Sequence, residues 1–161
     1  MLPAPAERLD RLAEACALIQ LLLTQDVSTF RGDWYQLVDA RCEPKPLAHL
    51  PLLIGGGGER RTLRVAAQFA DEWHAWTEPD EFVRKNAILD DHCRAIGRDP
   101  ATVARSTGGT LSGNSEQDNE QLAAYRAVGA DEYIVRDDRA IPVEHVLDML
   151  AGLRERPAAD D

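Results

Sequence analysis

No stretch of this chain approaches the run of about 20 apolar residues that spans a bilayer, so no membrane-embedded segment is expected. A secretory leader is not expected either, because Met1-Leu-Pro-Ala-Pro leads straight into the charged Glu7-Arg-Leu-Asp-Arg11, with no basic start, apolar middle or small-residue cleavage site. A cytoplasmic protein without membrane contact is the expectation. Cysteine is scarce: Cys16, Cys42 and Cys93 are odd in number, far apart and outside any CxxC spacing. That excludes a disulfide framework or a zinc site and leaves buried or half-buried thiols. A basic surplus is missing too. With a net charge of -10 spread along the chain, no face is expected to displace the counterions of a nucleic acid. A phosphorylated ligand would have to be held by local geometry against that overall repulsion.

The common hydrolytic signatures are also absent. There is no Ser-His-Asp order, no HExxH and no GxxxxGK[ST] loop. His49 and His145 have no partners at ligand spacing, and His92 beside Cys93 on one helix would point elsewhere, so no metal is expected. Asp90-Asp91, Asp137-Asp138 and Asp160-Asp161 read as solvated pairs. No catalytic acid or base is assigned.

What is present is a single domain over residues 1–161, long enough for a sizeable core. Apolar residues at Leu9, Leu12, Ala13, Cys16, Ile19 and Leu23 have the three-and-four spacing of a helix over residues 7–24 with one buried stripe. Phe30-Arg-Gly-Asp-Trp-Tyr35 suggests a short hairpin or extended excursion, and Glu43-Pro-Lys-Pro46 a loop. Then strand and helix alternate. Strands are expected at Leu52–Ile54, where the uniformly apolar run suggests burial on both faces, and at residues 70–76, 103–111 and 131–135. Helices are expected from Glu59 to Phe69, from a Thr77 cap to a stop at Gly97, from Asn114 or Ser115 to Gly129, and from Ile141 to Arg154, with residues 156–161 a frayed tail. This order implies an α/β fold of four parallel strands joined by right-handed crossovers.

The densest feature is Pro51-Leu-Leu-Ile-Gly-Gly-Gly-Gly-Glu-Arg-Arg61, four consecutive glycines at a strand-to-helix junction. Helix-start N–H groups have no intrahelical acceptor, and aligned peptide dipoles add about half a positive charge there. Glycines without Cβ let a phosphate approach those N–H groups, with Arg60 or Arg61 able to add a charge-assisted bond. The alternative is a tight turn and a close helix-strand contact. The dinucleotide pattern GxGxxG is not completed, since its third glycine would fall at Arg60.

Several words of the sequence occur in an order that resembles the luciferase-like monooxygenases, in particular their deazaflavin (F420) dependent oxidoreductases. They are Glu7-Arg-Leu-Asp-Arg-Leu-Ala-Glu-Ala15, Phe30-Arg-Gly-Asp-Trp-Tyr35, Glu43-Pro-Lys-Pro46, Leu53-Ile-Gly-Gly-Gly-Gly58, Ala66-Ala-Gln-Phe-Ala-Asp-Glu-Trp-His74 and Gly97-Arg-Asp-Pro100. The family fold is an eight-stranded (β/α) barrel of the TIM type, and the resemblance places this chain on its carboxy-terminal half. It implies that Gly55, Gly56, Gly57 and Gly58, with Glu59 and Arg60 opening the helix, hold the phosphate of F420 or, alternatively, FMN. Where the family usually has Ala-Asp-Gly-Trp-Asn, Glu72 and His74 replace the glycine and the asparagine. The catalytic end of the barrel then brings His74, Trp76 and Thr77 towards a small organic substrate, although packing roles compete for each. The resemblance implies an oxidoreductase completed by a homodimer or a complementary half-barrel chain; the alternative is a non-catalytic remnant or phosphate-binding interaction module.

Overall fold

The computed structural model describes residues 2–136, 142–144, 146 and 147. Helix α1 spans Pro5–Thr24, with proline in its first turn, where a missing N–H costs no hydrogen bond. Its stripe meets the core through buried Cys16, with Leu12 and Ala13 packed beside it. The Arg-Gly-Asp excursion is a hairpin: β1 (Ser28–Arg31) pairs antiparallel with β2 (Gln36–Ala40). Glu14 fastens it to α1, accepting from the backbone N–H groups of Asp33, Trp34 and Tyr35 at 2.7, 3.0 and 3.1 Å.

Four parallel strands follow in sequential order, β3 (Leu53–Gly55), β4 (Glu72–His74), β5 (Ala104–Gly109) and β6 (Glu132–Val135). Between them lie α2 (Thr62–Phe69), α3 (Pro79–Ala95), a short 3₁₀ turn at Pro100–Thr102, and α4 (Ser115–Ala127). One row of the sheet runs Gly55, His74, Ser106 and Glu132; the adjacent row begins Ile54, Trp73 and Arg105. The second row faces the helices. There Trp73 stacks on Phe82 of α3 at a centroid distance of 5.6 Å, among Leu63, Ala66 and Leu89, all fully buried.

Helix stops follow the glycines. Gly97 (φ 74°) and Gly129 (φ 84°) take the left-handed conformation. Each is followed by a six-residue closure, Arg98 N–H to Cys93 O at 2.9 Å and Ala130 N–H to Tyr125 O at 3.1 Å. Arg98 then reaches back to the carbonyls of Ala67 and Ala70 at 3.0 and 2.8 Å, so the Gly-Arg-Asp-Pro word ties the end of α3 to the end of α2.

Three expectations are corrected. The first strand is not buried on both faces: Ile54 is buried but Leu53 is 45% exposed, because α2 and α3 cover one side of the sheet and no described element covers Leu53 on the other. The second helix begins at Thr62 rather than Glu59, the glycine run first closing a wide turn through Leu63 N–H to Gly58 O at 3.0 Å. The cap of α3 is Glu78, not Thr77, since Pro79 opens the helix and shifts the boundary by one residue. Beyond β6, Val143, Glu144, Val146 and Leu147 are helical, while Ile141, His145, the Asp137-Asp138 pair and the tail from 148 to 161 lie outside the described residues. Among the described residues no helix is long and apolar enough to cross a membrane.

Candidate functional site

The glycine run leaves β3 at its carboxy-terminal end and is held by its carbonyls. Trp73 Nε1 donates to Gly56 O at 2.9 Å, Lys85 Nζ to Gly57 O at 2.6 Å, Leu63 N–H to Gly58 O at 3.0 Å, and His92 Nε2 to Glu59 O at 2.9 Å. In a trans peptide the C=O and the following N–H point in opposite directions. Anchoring four successive carbonyls therefore turns the N–H groups of Gly57, Gly58, Glu59 and Arg60 away from those anchors. Among the described residues none of these N–H groups has an acceptor. Unpaired backbone donors close together at a strand-to-helix junction are the kind of group that an anion site uses.

The glycines divide by what a side chain would meet. Gly56 has φ 124°, which L-residues rarely adopt; a Cβ on Gly57 would lie 3.0 Å from Lys85 Nζ, and one on Gly58 would lie 2.6 Å from Thr62 Oγ1. The turn's dihedral angle at Gly56 and the packing of Lys85 and Thr62 against Gly57 and Gly58 account for these three. They do not account for Gly55, where a Cβ would meet nothing nearer than His74 O at 4.0 Å.

The side chains around the run take different directions. Arg60 is exposed and, among the described residues, has no partner. Arg61 turns to α1, bonding Ala6 O at 3.0 Å. The carboxylate of Glu59 turns to α3, 2.6 Å from Arg84 and 3.7 Å from Lys85 Nζ. The Arg84 hydrogen bond, more than the opposing effect of burial, holds that carboxyl below its ordinary range. The charge of Glu59 is thus balanced by its neighbours on α3, while its N–H has no acceptor among the described residues.

Lys85 was not singled out by sequence and His92 was considered only as a poor metal ligand. The signal for Lys85 lies in the helical stripe Phe82, Lys85, Leu89 and Cys93, where a lysine occupies a core position. Its side chain is 7% exposed and also sits 3.2 Å from Glu81. Buried ammonium groups persist only with such partners.

Next to the glycine run, Gly56 N–H donates to His74 O at 2.9 Å, so the turn and the end of β4 are one unit. His74 is 7% exposed, on the side of the sheet opposite Trp73. Its Nδ1 lies 3.0 Å from Ser106 Oγ and its ring meets Trp76 edge-on at 5.2 Å. Burial keeps the imidazole below its ordinary value of 6.5, against the opposite pull of Glu72 and Glu132. Trp76 is 55% exposed, with Arg136 over its ring at 5.9 Å. Thr77 is drawn towards α4 instead: its carbonyl accepts from Tyr125 OH at 2.8 Å, and its own hydroxyl is buried without a partner among the described residues. The structure therefore brings Gly55–Gly58, His74 and Trp76 together at one end of the strands. Among the described residues no group of three His, Cys, Asp or Glu side chains is placed to hold a metal ion.

The fold of this chain recurs in known proteins. The chain superposes on an F420-dependent secondary alcohol dehydrogenase in complex with an F420-acetone adduct with a TM-score of 0.65 and 18% identity, covering 96% of this chain and 55% of that one. On a long-chain alkane monooxygenase the TM-score is 0.59 at 13% identity, covering 100% of this chain and 41% of the other. Both are luciferase-like TIM barrels, so the four strands correspond to part of such a barrel. In sequence, the chain is 43% identical over 56 residues to the F420-dependent glucose-6-phosphate dehydrogenase of Amycolatopsis mediterranei, covering 35% of this chain and 17% of the relative. It is 35% identical over 66 residues to the pyrimidine monooxygenase of Allorhizobium ampelinum, covering 41% and 18%. The chain thus spans about half or less of the solved barrels, and the aligned stretches reach under a fifth of these curated relatives. A match to the luciferase-like monooxygenase family extends over residues 3–156, nearly the whole sequence, and the chain belongs to that family.

Proposed function

We propose that this chain is the phosphate-holding half of a flavin-type oxidoreductase, binding F420 or, alternatively, FMN, and acting on a small organic substrate. The observation that carries the reading is the set of N–H groups at Gly57, Gly58, Glu59 and Arg60, unpaired among the described residues because the adjoining carbonyls are anchored from the other side. The site fits a phosphate: small residues line it, Arg60 is free to reach it, and the carboxylate of Glu59 is turned away. When bound, the cofactor supplies the hydride chemistry. The protein's share is to orient it. Gly55 to Gly58 hold the phosphate, and His74 and Trp76 stand beside that turn at the strand ends, where a substrate meets the ring system.

Both β3 and β6 have an unpaired edge among the described residues. Parallel edges of this kind call for covering strands. The proposal therefore includes a partner, either a second copy or a complementary half-barrel, that closes the sheet around the substrate. A different reading is a phosphate-binding module without turnover, for which the unpaired N–H groups of the glycine turn are sufficient.

Titration of the purified chain with F420 and with FMN, followed by fluorescence, alongside its mass in solution, separates these. Saturable binding by a dimer or a mixed complex, weakened when Gly57 is replaced by valine and competed by inorganic phosphate, supports the enzyme. Binding of phosphate with no affinity for either cofactor supports the module. No binding of any of the three overturns the site.

A further inference from the structure

The row of the sheet facing away from the helices contains a further feature where the glycine turn begins. Gly55, His74 and Ser106 are neighbours in register across β3, β4 and β5. Ser106 is fully buried and His74 nearly so, yet beside them a Cβ at Gly55 would meet nothing nearer than 4.0 Å. Trp76 closes the far side: its Cη2 would lie 3.2 Å from a Cβ at Gly108, and its ring meets His74 edge-on. The result is a niche with an open floor at Gly55, an aromatic wall at Trp76 and a polar wall at His74.

The protonation of that wall follows from its contacts. Ser106 Oγ is 3.0 Å from His74 Nδ1 and 3.4 Å from the carbonyl oxygen of Trp73. A carbonyl only accepts; with the hydroxyl hydrogen directed to it, Nδ1 carries the proton given to Ser106 Oγ. This arrangement satisfies both contacts and leaves Nε2 as a bare acceptor. Among the described residues Nε2 has no partner, and it is not one of the fully enclosed polar atoms, so it opens into accessible space.

We propose that Gly55, His74 and Ser106 form a recognition niche in which the unprotonated Nε2 of His74 accepts a hydrogen bond from a neutral hydroxyl or N–H donor of the substrate. The niche therefore selects an alcohol over the corresponding ketone, because only the alcohol offers a hydrogen. Glu72 and Glu132 are the charged groups that act on His74, from β4 and β6, and both oppose loss of its proton. Burial, the larger effect, acts against them. The inference rests on the proposed oxidoreductase only in naming the occupant a substrate.

The test uses the whole chain carrying ¹⁵N-histidine, with His74 assigned through His74→Gln. At about pH 8, above the ordinary histidine range, long-range ¹H–¹⁵N spectra report which ring nitrogen is protonated. The wild type and Ser106→Thr are expected to show the Nδ1–H form, and Ser106→Ala to lose that preference. Cyclohexanol is expected to shift the Nε2 resonance and cyclohexanone to leave it in place. Gly55→Val, with a folded amide spectrum, is expected to lower the alcohol affinity by about threefold or more, the scale of one hydrogen bond. An Nε2–H form in the wild type, or an Nε2 resonance that answers both compounds equally or neither, overturns the proposal. Neither titration contains cofactor, so a failed phosphate site would leave these results unchanged.

Discussion

The two faces of the four-stranded sheet are built from the same strands yet differ in almost every property. Towards the helices stand Ile54, Trp73 and Arg105, buried against Leu63, Phe82 and Leu89. Arg105 is neutralised there by Asp90 of α3 at 2.8 Å. Towards the other side stand Leu53, Gly55, Glu72, His74, Ser106 and Glu132, a row of mostly polar or missing side chains with Leu53 half exposed. Alternation along a strand makes this separation possible, since adjacent residues point to opposite faces. One face supplies stability through buried apolar area. The other gives up much of that apolar area for polar groups, among them His74 and Ser106, which bond to each other.

The contrast is tested most severely at Trp73, which belongs to the stable face but also donates to Gly56 O at 2.9 Å. Trp73→Ala should cost about 3–5 kcal/mol of unfolding free energy, as for other large buried aromatics, measured by urea denaturation. Trp73→Phe should retain most of the stability while loosening the glycine turn, read as weaker cofactor binding. Equal losses of both in the two variants would mean that the turn has no separate anchor.

Lys85→Met comes next. It keeps the stem buried but leaves Gly57 O without its donor, for a cost of about 1–3 kcal/mol. Cofactor affinity should fall with it, because the Gly58 N–H is no longer held in direction. Within the glycine run the effects should split. Gly56→Ala forces an L-residue to φ 124° and should cost about 1–3 kcal/mol. Gly55→Ala enters open space and should change stability by less than about 1 kcal/mol, in either direction.

The smallest effect is in pH. Burial lowers the His74 value from 6.5, so below that value the unfolded chain binds more protons than the folded one. Stability should then fall as the pH drops through about 6.5 and level off below the folded value. The groups at Glu14 and Glu59, held low in the fold, add a further loss nearer their ordinary 4.5. His74→Gln should flatten the upper part of this profile in denaturation curves recorded from about pH 3 to pH 8, leaving the acid limb in place.

Much of the architecture was legible in the sequence because it depends on local rules. Gly97 and Gly129 stop helices for conformational reasons that act within one turn, and the alternation of strand and helix fixes parallel pairing. The boundary at Thr77 was misjudged by one position because Pro79, not the hydroxyl, decides where α3 begins. Burial of Leu53 could not be read, since the run Leu52–Ile54 looks the same whether one or both faces are covered. The anchors of the glycine turn were hidden for a different reason. Trp73, Lys85 and His92 are 17, 28 and 33 residues from the carbonyls they bind, and only folding brings them there. Glycine spacing pointed to the turn, but the division between Gly55 and its three neighbours depends on a dihedral angle and on the positions of Lys85 and Thr62.

The central claim is that anchored carbonyls at Gly56 to Glu59 present the next N–H groups to a phosphate. Amide-resolved NMR of the chain titrated with FMN and with riboflavin, which lacks the phosphate, tests it most directly. Large shifts at Gly57, Gly58, Glu59 and Arg60 with FMN, and little change there with riboflavin, are the predicted result. Amides at these four positions that stay in place while FMN saturates the protein would contradict it.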